Sequence, residues 1–180
     1  MNNLILLDRD GTIIKDKNYI SSPDDVELIE GSGQAISNLK KLGFKVVVVT
    51  NQSGIGRGFF KEEDYYAVNN KLDELLYKFK AGIDAYYFCP HNPDSSYKCL
   101  CRKPGTALFE DIKKTYIVNS QYSWVIGDKM SDMNFAQNIG LKSILVKTGY
   151  GRNYLDYKGL ITENLFYASK LIMNKVFKNS

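Results

Sequence analysis

The chain has 180 residues, 44% hydrophobic and 24% charged, which suits one soluble domain over residues 1–180 with a sizeable core. Its formal net charge of +4 is spread without a basic block, which argues against a nucleic-acid partner and suits a phosphorylated small molecule. No apolar run reaches membrane-spanning length and the first aliphatic run is too short for a signal peptide, so a cytoplasmic monomer without a membrane partner is expected.

Leu4-Ile5-Leu6-Leu7 reads as a strand buried on both faces, the pattern of a parallel sheet. It runs into Asp8-Arg9-Asp10-Gly11-Thr12. Alternate residues of an extended segment point the same way, so Asp8 and Asp10 can converge on one ion or one reacting atom. An EF-hand loop is excluded, because Thr12 and Ile13 stand where a fifth-position oxygen ligand and a sixth-position glycine are needed. Two readings stay open on these residues alone: a solvated acidic turn, or a nucleophile beside an acid/base served by magnesium.

Residues 13–30 are polar and aperiodic, too long for a simple turn, and read as a flap or a solvated insertion. Ala35, Ile36, Leu39 and Leu42 mark a helix that opens at Gly31-Ser32 and stops at Gly43, and Lys45 to Val49 form a second strand. Strand, helix, strand predicts a parallel βαβ unit. The second strand ends in Thr50-Asn51-Gln52-Ser53-Gly54-Ile55-Gly56-Arg57-Gly58, whose hydroxyl, amide and backbone donors suit phosphate. Phe59 breaks a dinucleotide G-x-G-x-x-G spacing. Residues 62–80 follow as the longest helix, with Tyr65, Val68, Leu72, Leu75, Leu76 and Phe79 on its core face, and residues 85–88 as a third strand.

All three cysteines and the only histidine lie between Cys89 and Cys101. Cys89-x-His91, seven residues, then Cys99-x-Cys101 match a Cys₃His zinc site, structural because four protein ligands leave no open position. Buried or reactive thiols are the alternative. Arg102-Lys103 follows directly, where a metal loop would hold it as a phosphate clamp. A helix over about 106–116 comes next, then a fourth strand over 123–126 ending in Gly127-Asp128-Lys129, a helix capped by Ser131, a fifth strand over 143–147 and a last helix over about 162–177, with fraying beyond it. Three strand ends thus carry Asp8 and Asp10, Thr50 and Asn51, and Asp128 and Asp132. In a doubly wound sheet these share one edge, and the donor set implies phosphoryl transfer.

Asp8-x-Asp10-Gly11-Thr12, Thr50, Lys103 and Gly127-Asp128-x-x-x-Asp132, in that order, resemble the motifs of the haloacid dehalogenase-like (HAD) phosphatases over nearly the whole chain. Ser53, Arg57-Gly58, the Cys/His pairs, Arg102-Lys103-Pro104 and Gly127-Asp128-Lys129 narrow the likeness to its heptose bisphosphate phosphatase branch. The related histidinol-phosphate phosphatases share the aspartates, the zinc pairs and Arg-Lys-Pro, but usually carry Asp at the Ser53 position and lack the Arg57-Gly58 pattern. The resemblance implies an α/β, doubly wound, Rossmann-like parallel sheet with no large cap domain and a small zinc loop at 89–101. It further implies Asp8 as nucleophile, Asp10 as acid/base, magnesium on Asp8, Asp10 and Asp128, Thr50 and Lys103 on the phosphoryl oxygens, and Asp132 in support. Arg102 would read the far end of a sugar bisphosphate, helped by Asp16, Lys17, Asn18, Tyr19, Asn51, Gln52, Ser53, Arg57 and Lys129. The rival from another class is a zinc-stabilised nucleic-acid-binding module, which carboxylates at the strand ends disfavour by repelling a phosphate backbone.

Overall fold

A computed structural model describes residues 1–96, 98–154 and 156–177; the predicted fraying of residues 178–180 lies outside it. Six parallel strands form one sheet in the order β3-β2-β1-β4-β5-β6. They are β1 (Leu4–Leu7), β2 (Lys45–Asn51), β3 (Ala85–Cys89), β4 (Trp124–Gly127), β5 (Lys142–Val146) and β6 (Leu160–Thr162). The central strand β1 pairs with β2 on one side, Leu7 opposite Val48, and with β4 on the other, Leu7 opposite Ile126.

The period of two in the strands divides the core between the two faces. Ile5, Leu7, Val46, Val48 and Ile126 pack on one face with α1 (Ser32–Lys41), and Leu4, Leu6, Val47, Val49 and Val125 lie on the other. A short helix α2 (Ser53–Gly56) follows β2, and α3 (Glu62–Tyr77) returns to the first face through Val68, Leu72 and Leu76. α4 (Ala107–Thr115) and α5 (Met130–Asn138) cover the second face, and α6 (Leu165–Phe177) returns to the first. The winding therefore reverses between β1 and β4, and the crevice at that reversal is where such sheets bind ligands.

Several boundaries differ from the sequence reading. The helix read over 62–80 ends at Tyr77; Lys80 adopts φ +52°, and Phe79 leaves the helix to pack on Gly33, remaining 42% exposed. Thr162 belongs to β6, and the last helix begins at Leu165, where Asn164 Oδ1 accepts from the Tyr167 N–H at 3.2 Å. Ser131 lies inside α5; Asp132 caps that helix by accepting from Lys129 N–H at 3.0 Å. Residues 13–30 are no solvated insertion: Ile13, Ile14, Ile20, Val26 and Ile29 are buried, and Ile14 bridges antiparallel to Leu28. Among the described residues no helix is long and apolar enough to cross a membrane.

Candidate active site

The carboxyl ends of β1, β2 and β4 open into a cleft of about 470 Å³. Asp8 leaves β1 with its N–H bound to Ile126 O at 3.0 Å, so the turn is tied to β4. Gly11 closes that turn at φ +85°, and a Cβ there would stand 2.3 Å from Asp128 Oδ2. Glycine is thus required twice, by the backbone angle and by the approach. From the other flank, the Tyr150 N–H donates to Asp128 Oδ2 at 2.8 Å.

Lys103 is buried, and its Nζ lies 2.9 Å from Asp8 Oδ1 and 2.6 Å from Asp132 Oδ1 while donating to Val49 O. Its backbone is gripped by the Asn51 amide, which accepts from Lys103 N at 3.0 Å and donates to Lys103 O at 3.2 Å. The Asn51 side chain, expected to touch substrate, therefore spends both amide groups on the lysine.

Charge in this space is unevenly distributed. Burial alone would raise the Asp8 carboxyl, but Lys103 and then Lys129 overcome it and hold the group below the ordinary carboxylate range. Burial would lower Lys103, and Asp132 and Asp8 reverse that and raise it. Asp128 is pushed up to about 8, first by burial and then by the Asp8 charge. Asp132 is raised by burial against the pull of Lys103.

Carboxylate oxygens of Asp8, Asp128 and Asp132 lie within 4.8 Å of one another, and Asp128 Oδ1 is buried with no hydrogen-bond partner. Oxygen donors with an orphaned buried carboxylate atom fit a hard divalent cation. The Asp10 side chain, named for that ion in the sequence reading, points elsewhere, to Arg9 and Gln52. Asp132, read as supporting, joins the cluster. Thr50 is buried at the floor and accepts from Gln52 Nε2 at 3.0 Å.

The rim comes from three loops. In the flap, Asp16 Oδ1 accepts from Asn18 N–H at 2.9 Å, and Asn18 and Tyr19 hold left-handed angles beside the cleft. Lys17 faces away, 3.9 Å from both Asp25 and Glu27. Lys129 Nζ lies 3.4 Å from Asp16 Oδ2 and 4.7 Å from the centre of the Tyr150 ring. Ser53 and Arg102 also line the cleft, and Arg102 Nη1 is buried without a partner. Arg57 is not brought to the cleft: its Nη2 pairs with Asp94 Oδ2 at 2.6 Å in the Cys/His loop.

That loop gathers Cys89, His91, Cys99 and Cys101. Cys101 Sγ lies 3.1 Å from both Cys89 Sγ and His91 Nδ1, and Cys89 Sγ lies 3.5 Å from Cys99 Sγ. Zinc–sulfur bonds of about 2.3 Å in a tetrahedron give ligand separations of about 3.8 Å, so the four groups need little movement to share one ion. The sequence reading passed over Arg9 and Tyr150. Neither carries a motif of its own: Arg9 is marked only by its burial beside Asp10, and Tyr150 only by its N–H on Asp128.

Residues 100–160 match the HAD-hydrolase-like family model. D-glycero-beta-D-manno-heptose-1,7-bisphosphate 7-phosphatases from Photorhabdus laumondii and Haemophilus ducreyi are 41% and 38% identical to the chain, each over 81% of it and over 80% and 83% of their own lengths. The chain belongs to the heptose-1,7-bisphosphate 7-phosphatase family of HAD-like hydrolases. Both anomeric classes of that family are represented, since a D-glycero-alpha-D-manno-heptose-1,7-bisphosphate 7-phosphatase of Photorhabdus laumondii is 33% identical over 92% of the chain and 94% of its own. The family's fold extends to the structures. The D,D-heptose 1,7-bisphosphate phosphatase from B. bronchiseptica, complexed with magnesium and phosphate, superposes with a TM-score of 0.89 at 34% identity, covering 96% of this chain and 99% of that one.

Proposed function

We propose that this chain removes the 7-phosphate of D-glycero-D-manno-heptose 1,7-bisphosphate, in a magnesium-dependent reaction that feeds nucleotide-activated heptose synthesis. The observation that carries the reading is the meeting of Asp8, Lys103, Thr50 and Asp132 in a cleft whose rim holds Arg102 and Lys129, with an Asp128 carboxylate oxygen within 4.8 Å of those of Asp8 and Asp132. The floor suits one phosphoryl group and the rim a second, so a substrate with a phosphate at each end matches the charge distribution. The names of the relatives support the sugar.

Asp8 attacks phosphorus in line, forming an aspartyl phosphate as the bond to the sugar oxygen breaks. Asp10 gives its proton to that oxygen; it then takes one from the water that attacks the aspartyl phosphate, freeing phosphate and restoring Asp8. Lys103 and Thr50 hold the equatorial oxygens. Asp8 and Asp128, with Asp10 or Asp132, would hold a magnesium ion, which would supply positive charge against the phosphoryl group. Cys89, His91, Cys99 and Cys101 would hold a zinc ion that fixes the loop leading into Arg102.

The test is magnesium-dependent phosphate release from both anomers of heptose 1,7-bisphosphate, with histidinol phosphate alongside. A preference of a hundredfold in kcat/KM for the bisphosphate, about 2.7 kcal/mol of discrimination, is the expected result. A preference for histidinol phosphate would move the substrate and keep the chemistry. Asp8→Asn should fold and turn over neither; near-normal activity in that variant would overturn the covalent route.

A further inference from the structure

Arg9 is among the largest fully buried side chains of the protein, at 0% exposure, and the reaction just described gives it no role. A guanidinium removed from water is costly unless its donors are met. Here they are met by one carboxylate and two amides. Nε donates to Asp10 Oδ1 at 3.2 Å and Oδ2 at 3.3 Å, and Nη2 donates to Asp10 Oδ2 at 3.1 Å. Nη2 also donates to Gln52 Oε1 at 3.1 Å, and Nη1 to Asn69 Oδ1 at 3.0 Å. The cation lies 5.2 Å from the centre of the Tyr65 ring on α3.

Gln52 closes the ring. Its Nε2 donates to Asp10 Oδ2 at 2.7 Å and to Thr50 Oγ1 at 3.0 Å, while its Oε1 faces the guanidinium. The opposite amide orientation would set oxygen against carboxylate and NH₂ against guanidinium, so the network admits one arrangement. Both oxygens of Asp10 are therefore held from one side, by a cation whose own place is set by α3. Peptide geometry alone would leave the Asp10 side chain free among its rotamers at the cleft.

We infer that Arg9 is the positioning residue for Asp10: with Gln52 and Asn69 it fixes the carboxyl in the orientation from which it serves the leaving oxygen. The inference rests on Asp10 being the acid of the proposed reaction. The mechanistic demand follows from the leaving group. A sugar alkoxide is a poor leaving group and needs the proton of Asp10 as the P–O bond breaks; p-nitrophenolate is a stable anion and departs without one. Loss of positioning therefore falls on the alkyl ester and spares the aryl ester.

The experiment compares kcat/KM, which reports only the steps up to leaving-group departure, for heptose 1,7-bisphosphate and p-nitrophenyl phosphate in the magnesium-loaded protein. Arg9→Lys keeps the charge and loses the fork. It is expected to lower the value for the sugar phosphate by at least about tenfold, within the roughly 10²–10⁴ that a placed acid supplies, and the value for the aryl ester by less than about threefold. Asn69→Ala, which leaves the arginine in place but removes its hydrogen bond to α3, is expected to show the same split at smaller size, and it serves should Arg9→Lys not fold. Asp10→Asn sets the reference. A split in Asp10→Asn with parallel losses in Arg9→Lys and Asn69→Ala overturns the positioning role alone. Parallel losses in Asp10→Asn overturn the acid role of Asp10 and the inference with it.

Discussion

Lys103 donates to Asp8 Oδ1 at 2.9 Å across 95 residues of chain. That contact ties the loop after the Cys/His cluster to the end of the central strand, and with Lys129 it holds the buried Asp8 carboxyl below the ordinary carboxylate range. Replacing Lys103 by Met strips Asp8 and Asp132 of the cation that is ion-paired with both, leaving only the more distant charge of Lys129. The variant is expected to lose about 10²–10³ in kcat, as for removal of a transition-state donor. It should also lose about 3–5 kcal/mol of stability, the usual cost of halving a buried ion pair. Steady-state kinetics and urea unfolding at pH 7 check both.

The pH response of the metal-free protein follows from Asp128. Its folded value of about 8 lies above the ordinary 3.8, so folding favours its protonated form. That contribution is fully present below about pH 4 and is lost as pH rises through 8. Asp132, also raised by burial, adds to the trend. Asp8 is depressed, so its contribution is fully present above about pH 4 and is lost as pH falls from there through its folded value. A divalent cation binds the ionised form of Asp128. The rise in melting temperature on adding millimolar magnesium should therefore be larger at pH 8.5 than at pH 6. Asp128→Asn should flatten that difference; a wild-type shift independent of pH would contradict it.

Gly11→Ala tests the tight turn between the two aspartates. The backbone at φ +85° costs a residue with a Cβ about 1–2 kcal/mol, and the added atom would stand 2.3 Å from Asp128 Oδ2. Unfolding free energy should fall by at least that strain, with activity falling further than stability because Asp128 is displaced. Thermal unfolding beside kinetics separates the two.

Cys99→Ser removes one of the four soft groups proposed to hold zinc. The loop it holds reaches Arg57 through Asp94 and the residues after β2 through the Gly56 N–H, which donates to Pro90 O at 2.8 Å. A loss of about 2–3 kcal/mol, at about 2–4 °C per kcal/mol, corresponds to a melting temperature lower by about 4–12 °C. Metal analysis by mass spectrometry should find about one zinc per wild-type chain and far less in the variant. A zinc-free variant that melts and turns over normally would remove the structural role.

How much of this was legible in the sequence depended on the kind of residue involved. Leu4 to Leu7 and Val46 to Val49 are buried on both faces, so unbroken aliphatic runs announced the strands, and the acidic or hydroxyl residues after them announced the cleft. β6 escaped because three half-exposed residues at a sheet edge leave no apolar pattern. The anchoring of the flap in the core went unread because its isoleucines are spaced irregularly, though Ile13, Ile14 and Ile20 are all buried. Arg57 was read with the phosphate loop and pairs with the metal loop instead, a matter of tertiary packing that one-dimensional spacing does not carry. Arg9 was invisible for the same reason. A charged residue between two aspartates reads as solvated until Asn69, sixty positions away, is seen to bury it.

β1 is the first strand of the chain and the central strand of the sheet, so its two edges are covered at different moments of synthesis. Lys45–Asn51 can cover one edge early, whereas the other waits for Trp124–Gly127. Through that interval a growing chain on the ribosome carries Leu4–Leu7 with one open row of peptide groups, the kind of edge at which chains pair wrongly. Asp8 and Asp10 are made well before Asp128 and Asp132, so the carboxylate cluster cannot assemble until these have followed β4 into place. Phosphatase activity in a ribosome-released truncation series should thus appear as a late step rather than a gradual rise.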